Sequence, residues 1–239
     1  MTSDQNILDI VKHCHISFYD DIEPVRTELK RPMIFSKQEN AILDKEIENL
    51  LQMEVMEEDE FSSDQFLSPI FTVPKKDGEY RMILNLKDLN FNIIYHHFKM
   101  DTFEIALGLI KPNCFMPSID VRHAYYSVPI APEHRKFLRF CWKNKFYQYT
   151  CLPNGISSAP RYFTKLLKPV YCTLRKMGHS NLGYIDDSLL IGDTKQECHE
   201  NVQDTKELFE KVGFIVHQKK SVFIPVQKLR FLGFFNRFS

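Results

Sequence analysis

The stretch Asn181-Leu182-Gly183-Tyr184-Ile185-Asp186-Asp187-Ser188-Leu189-Leu190-Ile191-Gly192 decides how the chain is read. Two apolar runs flank adjacent carboxylates, the pattern of a β-hairpin with Asp186-Asp187 at its turn. Aspartate suits turns because its side chain bonds nearby backbone amides, which accounts for one Asp but not for two. A solvated acidic turn is the plain alternative for an isolated pair. Adjacent carboxylates repel, however, and a hard divalent cation with oxygen ligands is the usual compensation. A third aspartate, Asp120, closes another apolar run, Cys114-Phe115-Met116-Pro117-Ser118-Ile119-Asp120-Val121. Three carboxylates at strand ends can hold a two-magnesium site for phosphoryl transfer.

The surrounding chain is that of an ordinary globular protein of one or two lobes, with 239 residues, 44% hydrophobic and 26% charged. No apolar run approaches the length of a membrane span, and no signal peptide is visible. Six scattered cysteines without a Cys-x-x-Cys pair read as reduced thiols of an intracellular protein. His13-Cys14-His15 lacks a second ligand cluster and reads as a surface segment rather than a zinc site. Formal net charge is zero, which argues against a uniformly basic nucleic-acid surface. The charge is nevertheless segregated. Acid collects in Glu54 to Glu60, and base collects in Lys75-Lys76, Arg135 to Lys145, Arg161 to Lys176 and Lys219-Lys220. Such runs are most often solvated faces.

Residues 1–35 have no clean period and read as an N-terminal arm or lead-in. Ser36-Lys37-Gln38-Glu39 is a capping box opening an amphipathic helix to about Met56. Leu67 to Pro74 and Tyr80 to Asn85 around Lys75-Lys76-Asp77-Gly78-Glu79 form a hairpin with a cationic tip. Asp101-Thr102-Phe103-Glu104 opens a short helix stopped by Pro112. After Asp120, Arg122 to Tyr126 reads as one helical turn. Phe137 to Trp142 and Phe146 to Tyr149 make a second hairpin. Ser158 is expected to cap a helix running to Met177, with Gly178 as its C′ residue and Pro169 as a kink. Thr194 caps another, ended by Gly213. Phe214 to Val216, Val222 to Ile224 and a turn within Phe231 to Phe235 supply the remaining short strands.

Taken in order, these motifs resemble the reverse transcriptase domain of retroelements. Leu67-Ser68-Pro69-Ile70-Phe71-Thr72-Val73-Pro74-Lys75-Lys76-Asp77-Gly78, Ser157-Ser158-Ala159-Pro160-Arg161-Tyr162-Phe163-Thr164-Lys165-Leu166 and Phe231-Leu232-Gly233-Phe234 look most like the tyrosine-recombinase (DIRS-type) retrotransposons, with gypsy-type long-terminal-repeat elements next. The similarity spans about Ser36 to Phe235. It implies an α+β right-hand polymerase fold of fingers plus palm, the palm being a split β-α-β antiparallel sheet with helices on one face. Fingers would occupy about 36–98 and 126–155, and palm about 99–125 and 156–239.

The resemblance assigns Asp120, Asp186 and Asp187 as catalytic ligands of two Mg2+ ions, with Mn2+ as a substitute. Lys75, Arg81, Tyr125 and Asn154 would contact the incoming deoxynucleoside triphosphate, Tyr125 as a gate under the sugar. Lys220 would protonate the leaving pyrophosphate, a mobile exposed lysine being the alternative. Phe231, Leu232, Gly233 and Phe234 match the primer grip. The implied activity is RNA-directed DNA polymerisation on a primed RNA or DNA template. The alternatives are a catalytically silent or domesticated copy that binds nucleic acid or a partner, and an RNA-directed RNA polymerase, which Tyr125 at the sugar position argues against. Three departures stand out. Asn154 replaces a longer residue, His217 stands where asparagine is common, and the sequence stops just past the primer grip without a thumb.

Overall fold

The structure, a computed structural model, describes residues 2–74, 80–101, 103–231 and 234–237. In chain order its elements are α1 (Gln5–Lys12), α2 (Lys37–Gln52), β1 (Met56–Asp59), β2 (Ile70–Pro74), β3 (Tyr80–Leu84), α3 (Lys87–Asn90), α4 (Phe103–Leu109), β4 (Ser118–Arg122), β5 (Arg139–Trp142), β6 (Lys145–Tyr149), α5 (Ala159–Lys176), β7 (Ser180–Tyr184), β8 (Asp187–Ile191), α6 (Lys195–Lys211), β9 (Ile215–Val216), β10 (Lys228–Phe231) and β11 (Phe234–Arg237). They fall into two compact units. One lies within Met1–Leu8, His97–Ser127 and Pro160–Ser239, the other within Asp9–His96 and Val128–Ala159. Among the described residues no helix is long and apolar enough to cross a membrane.

The first unit is built on a four-stranded antiparallel sheet in the order β7-β8-β4-β9. Side chains alternate between its faces. One face, carrying Gly183 and Ser188, meets the two long helices. Tyr171 of α5 bonds Ser188 Oγ at 2.6 Å, and its ring packs on Phe209 of α6. The other face carries Leu182, Leu189 and Ile191, covered by Ala106 and Ile110 from the α4 region and by Leu229 and Phe231 of β10. Helix α6 begins at the expected capping box, Thr194 Oγ1 accepting from Glu197 N–H while the Glu197 carboxylate accepts from Thr194 N–H. Gly178 follows α5 at φ +98°, as a C′ residue should. Ser158 departs from expectation: its hydroxyl is buried without a hydrogen-bond partner and caps nothing. Val222 makes only an isolated bridge to Ser118, so Val222 to Ile224 is not a strand, and Pro225 ends the run.

The second unit holds the sheet β1-β6-β5 and the hairpin β2-β3, on which α2 packs. The α2 capping box forms as expected, but the helix ends at Gln52, four residues early. Glu54 at φ +58° turns the chain into β1. Hairpin β2-β3 is in the register Pro74↔Tyr80, and its tip, including Lys75, lies outside the described residues. The β5-β6 turn uses Lys143 and Asn144, both at positive φ, as a two-residue hairpin requires.

This unit sets the acidic run Glu54 to Glu60 against the basic run Arg135 to Lys145. Arg135, in the 3₁₀ segment before β5, pairs with Glu57 at 3.0 Å, and on the sheet itself Lys145 pairs with Glu58 at 2.9 Å and Arg139 with Asp59. Arg139 is buried, and Gln148 and Gln65 also accept from it at 2.8 and 3.0 Å. A buried guanidinium persists only when its donors are satisfied in this way.

From Asp9 onward the expected arm is part of this packing, with Ile10, Cys14, Ile16 and Phe18 buried. Cys14 forms a bridge with Ile130, which corrects the reading of His13-Cys14-His15 as wholly superficial. Ile16 N–H donates to His134 Nδ1 at 2.8 Å, so that nitrogen must stay unprotonated. Burial, with His15 nearby, holds His134 below the usual histidine range against the opposing pull of Glu133 and Glu23. A base with a lowered folded pKa leaves stability unchanged above the unfolded value, about pH 6.5, and costs stability as pH falls below it. Melting temperature should therefore decline on acidification below about pH 6.5, and His134→Asn, which retains an acceptor, should flatten part of that decline. Superimposable pH–melting curves for the two proteins would refute the role.

Candidate active site

The site begins with a register. Pairing of Tyr184 with Asp187 leaves Ile185 and Asp186 as the two-residue turn, so Asp187 is the first residue of β8 rather than a turn residue. Ile185 sits at φ +55°, a value that two-residue hairpins favour and that glycine ordinarily supplies. A β-branched residue there stores local strain. The opposite edge of β8 pairs with β4, setting Asp120 directly against Asp187. Val121 N–H donates to the Asp186 carbonyl at 2.8 Å and Leu190 N–H to the Pro117 carbonyl at 3.0 Å. That pattern makes Asp120 and Asp187 a non-hydrogen-bonded pair, in which side chains approach most closely. Like charges in this position are destabilising unless something neutralises them.

The electrostatics record the conflict. Burial, and then the neighbouring Asp186 and Asp120, push Asp187 up to about 6. Asp120 is raised as well, chiefly by burial and then by Asp186, against the opposing charge of Lys220. Lys220 Nζ stands 3.9 Å from Asp120 Oδ2 on a largely exposed side chain. Among the described residues no three His, Cys, Asp or Glu side chains converge as a ready metal cage. The donor set nonetheless fits a hard divalent cation: oxygen ligands only, crowded, and short of positive charge.

The supporting contacts were not foreseen from sequence. Asp120 N–H donates to Ser221 Oγ at 3.0 Å, and Ser221 Oγ donates to the His217 carbonyl at 2.9 Å. His217 N–H in turn donates to the Asp120 carbonyl at 2.8 Å. Behind β8, the Tyr171–Ser188 bond anchors the residue next to Asp187. Gly183 makes room for that tyrosine, since a Cβ on it would lie 2.2 Å from the Tyr171 ring. A glycine inside a strand is the sequence signal for such close approach. Gly183→Ala should cost about 1–3 kcal/mol by overpacking, lowering the melting temperature by several degrees. An unchanged melt would show that the tyrosine is not wedged.

Tyr125 lies in a single turn of 3₁₀ helix, Ala124–Ser127, that follows β4. Its ring meets Phe163 edge to face, with centroids 6.0 Å apart. Burial first, then Asp186 and Tyr184, raise its hydroxyl to about 12, so it stands as a neutral ring beside the carboxylates. Phe231 is buried in the core with Leu182 and Leu189, so its side chain packs rather than faces a ligand. The backbone of Phe234 lies in β11, while Leu232 and Gly233, like Lys75, are outside the described residues. Arg81 and Asn154 belong to the second unit, where both are exposed. Arg81 pairs with Val73 in β2-β3, and Asn154 precedes Gly155, at φ +100°, whose carbonyl accepts from Asn90 Nδ2 at 2.9 Å.

Residues 73–235 match the family model described as reverse transcriptase (RNA-dependent DNA polymerase). The chain belongs to the reverse transcriptase family. Enzymes of this family use divalent metal ions, in keeping with the carboxylate pair. Among its relatives, the Pro-Pol polyprotein of Simian foamy virus type 1 is 29% identical over 167 residues, 70% of this chain and 14% of the relative. The enzymatic polyprotein of figwort mosaic virus is 24% identical over 216 residues, 89% of this chain and 31% of the relative. The Tf2-3 transposon polyprotein of Schizosaccharomyces pombe is 26% identical over 167 residues, 70% of this chain and 12% of the relative. This chain thus spans less than a third of each of these polyproteins. A native prototype foamy virus protease–reverse transcriptase structure matches at a TM-score of 0.76 and 25% identity, over 92% of this chain and 28% of that one. The foamy viral enzyme in complex with RNA/DNA hybrid matches at 0.73 and 24%, over 88% and 27%, a likeness of fold. The α+β fingers-and-palm architecture expected from the motifs is the architecture of these neighbours.

Proposed function

We propose that this chain is the fingers-and-palm part of a retroelement RNA-directed DNA polymerase, extending a primer with deoxynucleoside triphosphates on an RNA or DNA template. The observation that carries the reading is the cross-strand pair Asp120–Asp187 with Asp186 in the adjoining turn. In this reading Asp120, Asp186 and Asp187 hold two magnesium ions. When bound, such ions activate the primer 3′-hydroxyl and neutralise the triphosphate and leaving pyrophosphate. Tyr125 walls the sugar, Lys75, Arg81 and Asn154 bind the triphosphate, and Lys220 delivers a proton to the pyrophosphate. Phe231, Leu232, Gly233 and Phe234 serve as the primer grip. Within the family, the three quoted motifs support a place near the tyrosine-recombinase (DIRS-type) retrotransposons.

The test is incorporation of dTTP on oligo(dT)-primed poly(rA) with magnesium. Template-dependent extension supports the polymerase. Binding of the primed template without incorporation would overturn it in favour of a silent copy.

A further inference from the structure

Within the first unit, α5, the segment before α4 and the β7-β8 hairpin border a partly open cavity of about 230 Å3. Three cations line it, Lys99, Lys168 and Arg175, against one acid, Asp101. That acid is already engaged: it accepts from Gly183 N–H at 3.3 Å and lies 3.6 Å from Arg175. Arg175 is further spent on Asn181, donating to its side-chain oxygen at 3.1 Å and to its carbonyl at 3.0 Å. Among the described residues Lys99 and Lys168, both exposed, have no salt bridge, so two positive charges line the cavity without a carboxylate partner. Thr164 also lines it, and its Oγ1 is buried without a hydrogen-bond partner. A buried hydroxyl left unsatisfied costs free energy unless a ligand completes it.

We propose that this cavity is a phosphate-binding site, with Lys99 and Lys168 supplying charge and Thr164 Oγ1 the hydrogen bond. Its volume is below the roughly 300–1,000 Å3 of pockets that enclose a drug-sized ligand, which suits a phosphate with its sugar rather than a whole molecule. A free nucleotide and a nucleic-acid strand both carry that group. The strand is favoured because the cations continue beyond the cavity: Arg161, Lys165, Lys168 and Arg175 recur at intervals of four, three and seven along one face of α5. Fourteen residues of helix extend about 21 Å, longer than one phosphate needs. Burial and Arg161 hold Lys165 below the usual lysine range, with Asp4 only partly compensating, as expected of a cationic stripe short of counter-charge. Ile185 lines the same cavity beside Asp186, so an occupant touches the hairpin that carries the carboxylates. The strand assignment rests on the polymerase reading; the phosphate site does not.

The test compares the parent chain with Lys99→Gln/Lys168→Gln and with Thr164→Val. Inorganic phosphate and dAMP at millimolar concentration should raise the parent's melting temperature, and both variants should lose most of that rise while melting normally without ligand. A fluorescein-labelled DNA duplex should bind the double variant about tenfold more weakly at low salt, with a logarithmic salt slope shallower by about 2, the contribution of two phosphates. Loss of the phosphate response with duplex binding unchanged would overturn the strand in favour of a free nucleotide. An unchanged phosphate response in both variants would overturn the site itself. A parent chain that binds no duplex would defeat the polymerase reading, and the phosphate arm would still decide the cavity.

Discussion

Replacing Asp187 with asparagine is expected to abolish primer extension, by about a thousandfold or more, while making the metal-free protein more stable. The size of the kinetic loss follows from removing a group that acts directly on developing charge, where single deletions already cost hundreds- to a thousandfold. The stability gain has an independent source. Asp187 is raised to about 6 from an ordinary value near 3.8, so the folded state favours its proton. An acid raised in this way is unpenalised below about pH 4 and loses stability progressively as pH rises to about 6, after which the penalty is constant. At neutral pH the cost is of order 1 kcal/mol once solvent screening of the part-exposed carboxyl is allowed for. Asparagine removes that charge, and the metal-free melting temperature should rise by about 2–4 °C. The stabilisation that magnesium with dTTP gives the parent should vanish in the variant. A variant that extends primers normally, or melts below the parent at pH 7, would contradict the role given to this carboxylate.

Tyr125→Val is expected to change the choice of sugar rather than activity in general. The ring is held edge to face against Phe163, half-buried, beside the turn that carries Asp186. With two χ angles and a packed neighbour it cannot readily step aside for a ribose 2′-hydroxyl. Its hydroxyl remains protonated at any assay pH, so the exclusion is by shape and not by charge. Valine should raise kcat/KM for ribonucleotides relative to deoxynucleotides on the order of a hundredfold, the scale at which shape discriminates an added hydroxyl. If Tyr125 is core packing alone, the variant should lose about 3–5 kcal/mol by cavity formation and slow with both sugars alike. The ratio of the two kcat/KM values separates these outcomes whatever the absolute rate.

Features encoded locally were legible in the sequence. Capping boxes at Ser36 and Thr194, glycine after α5 and α6, and the hairpins β2-β3 and β5-β6 depend on residues within a few positions of one another. The partnership of Asp120 with Asp187 was legible only through the order of the motifs, because strand register is a long-range property. The turn residue was misplaced for the same reason: a shift of one residue in pairing moves Asp187 from turn to strand. Ser221 and Tyr171 escaped notice because a hydroxyl that bonds a distant backbone or side chain leaves no local pattern. The acidic run Glu54 to Glu60 and the basic run Arg135 to Lys145, which read as solvated faces, are one another's partners, whereas on the α5 stripe of Arg161, Lys165, Lys168 and Arg175 only Arg175 has a salt bridge among the described residues, to Asp101.

The measurement closest to the central claim is single-turnover extension of a pre-bound primed template, titrated with magnesium, in the parent chain and in Asp120→Asn. The parent should be inert without divalent cation and rise to a saturating rate, while Asp120→Asn stays inert at every concentration with template still bound. Extension by Asp120→Asn at a rate near the parent's, or by the parent with all divalent cation chelated, would contradict it.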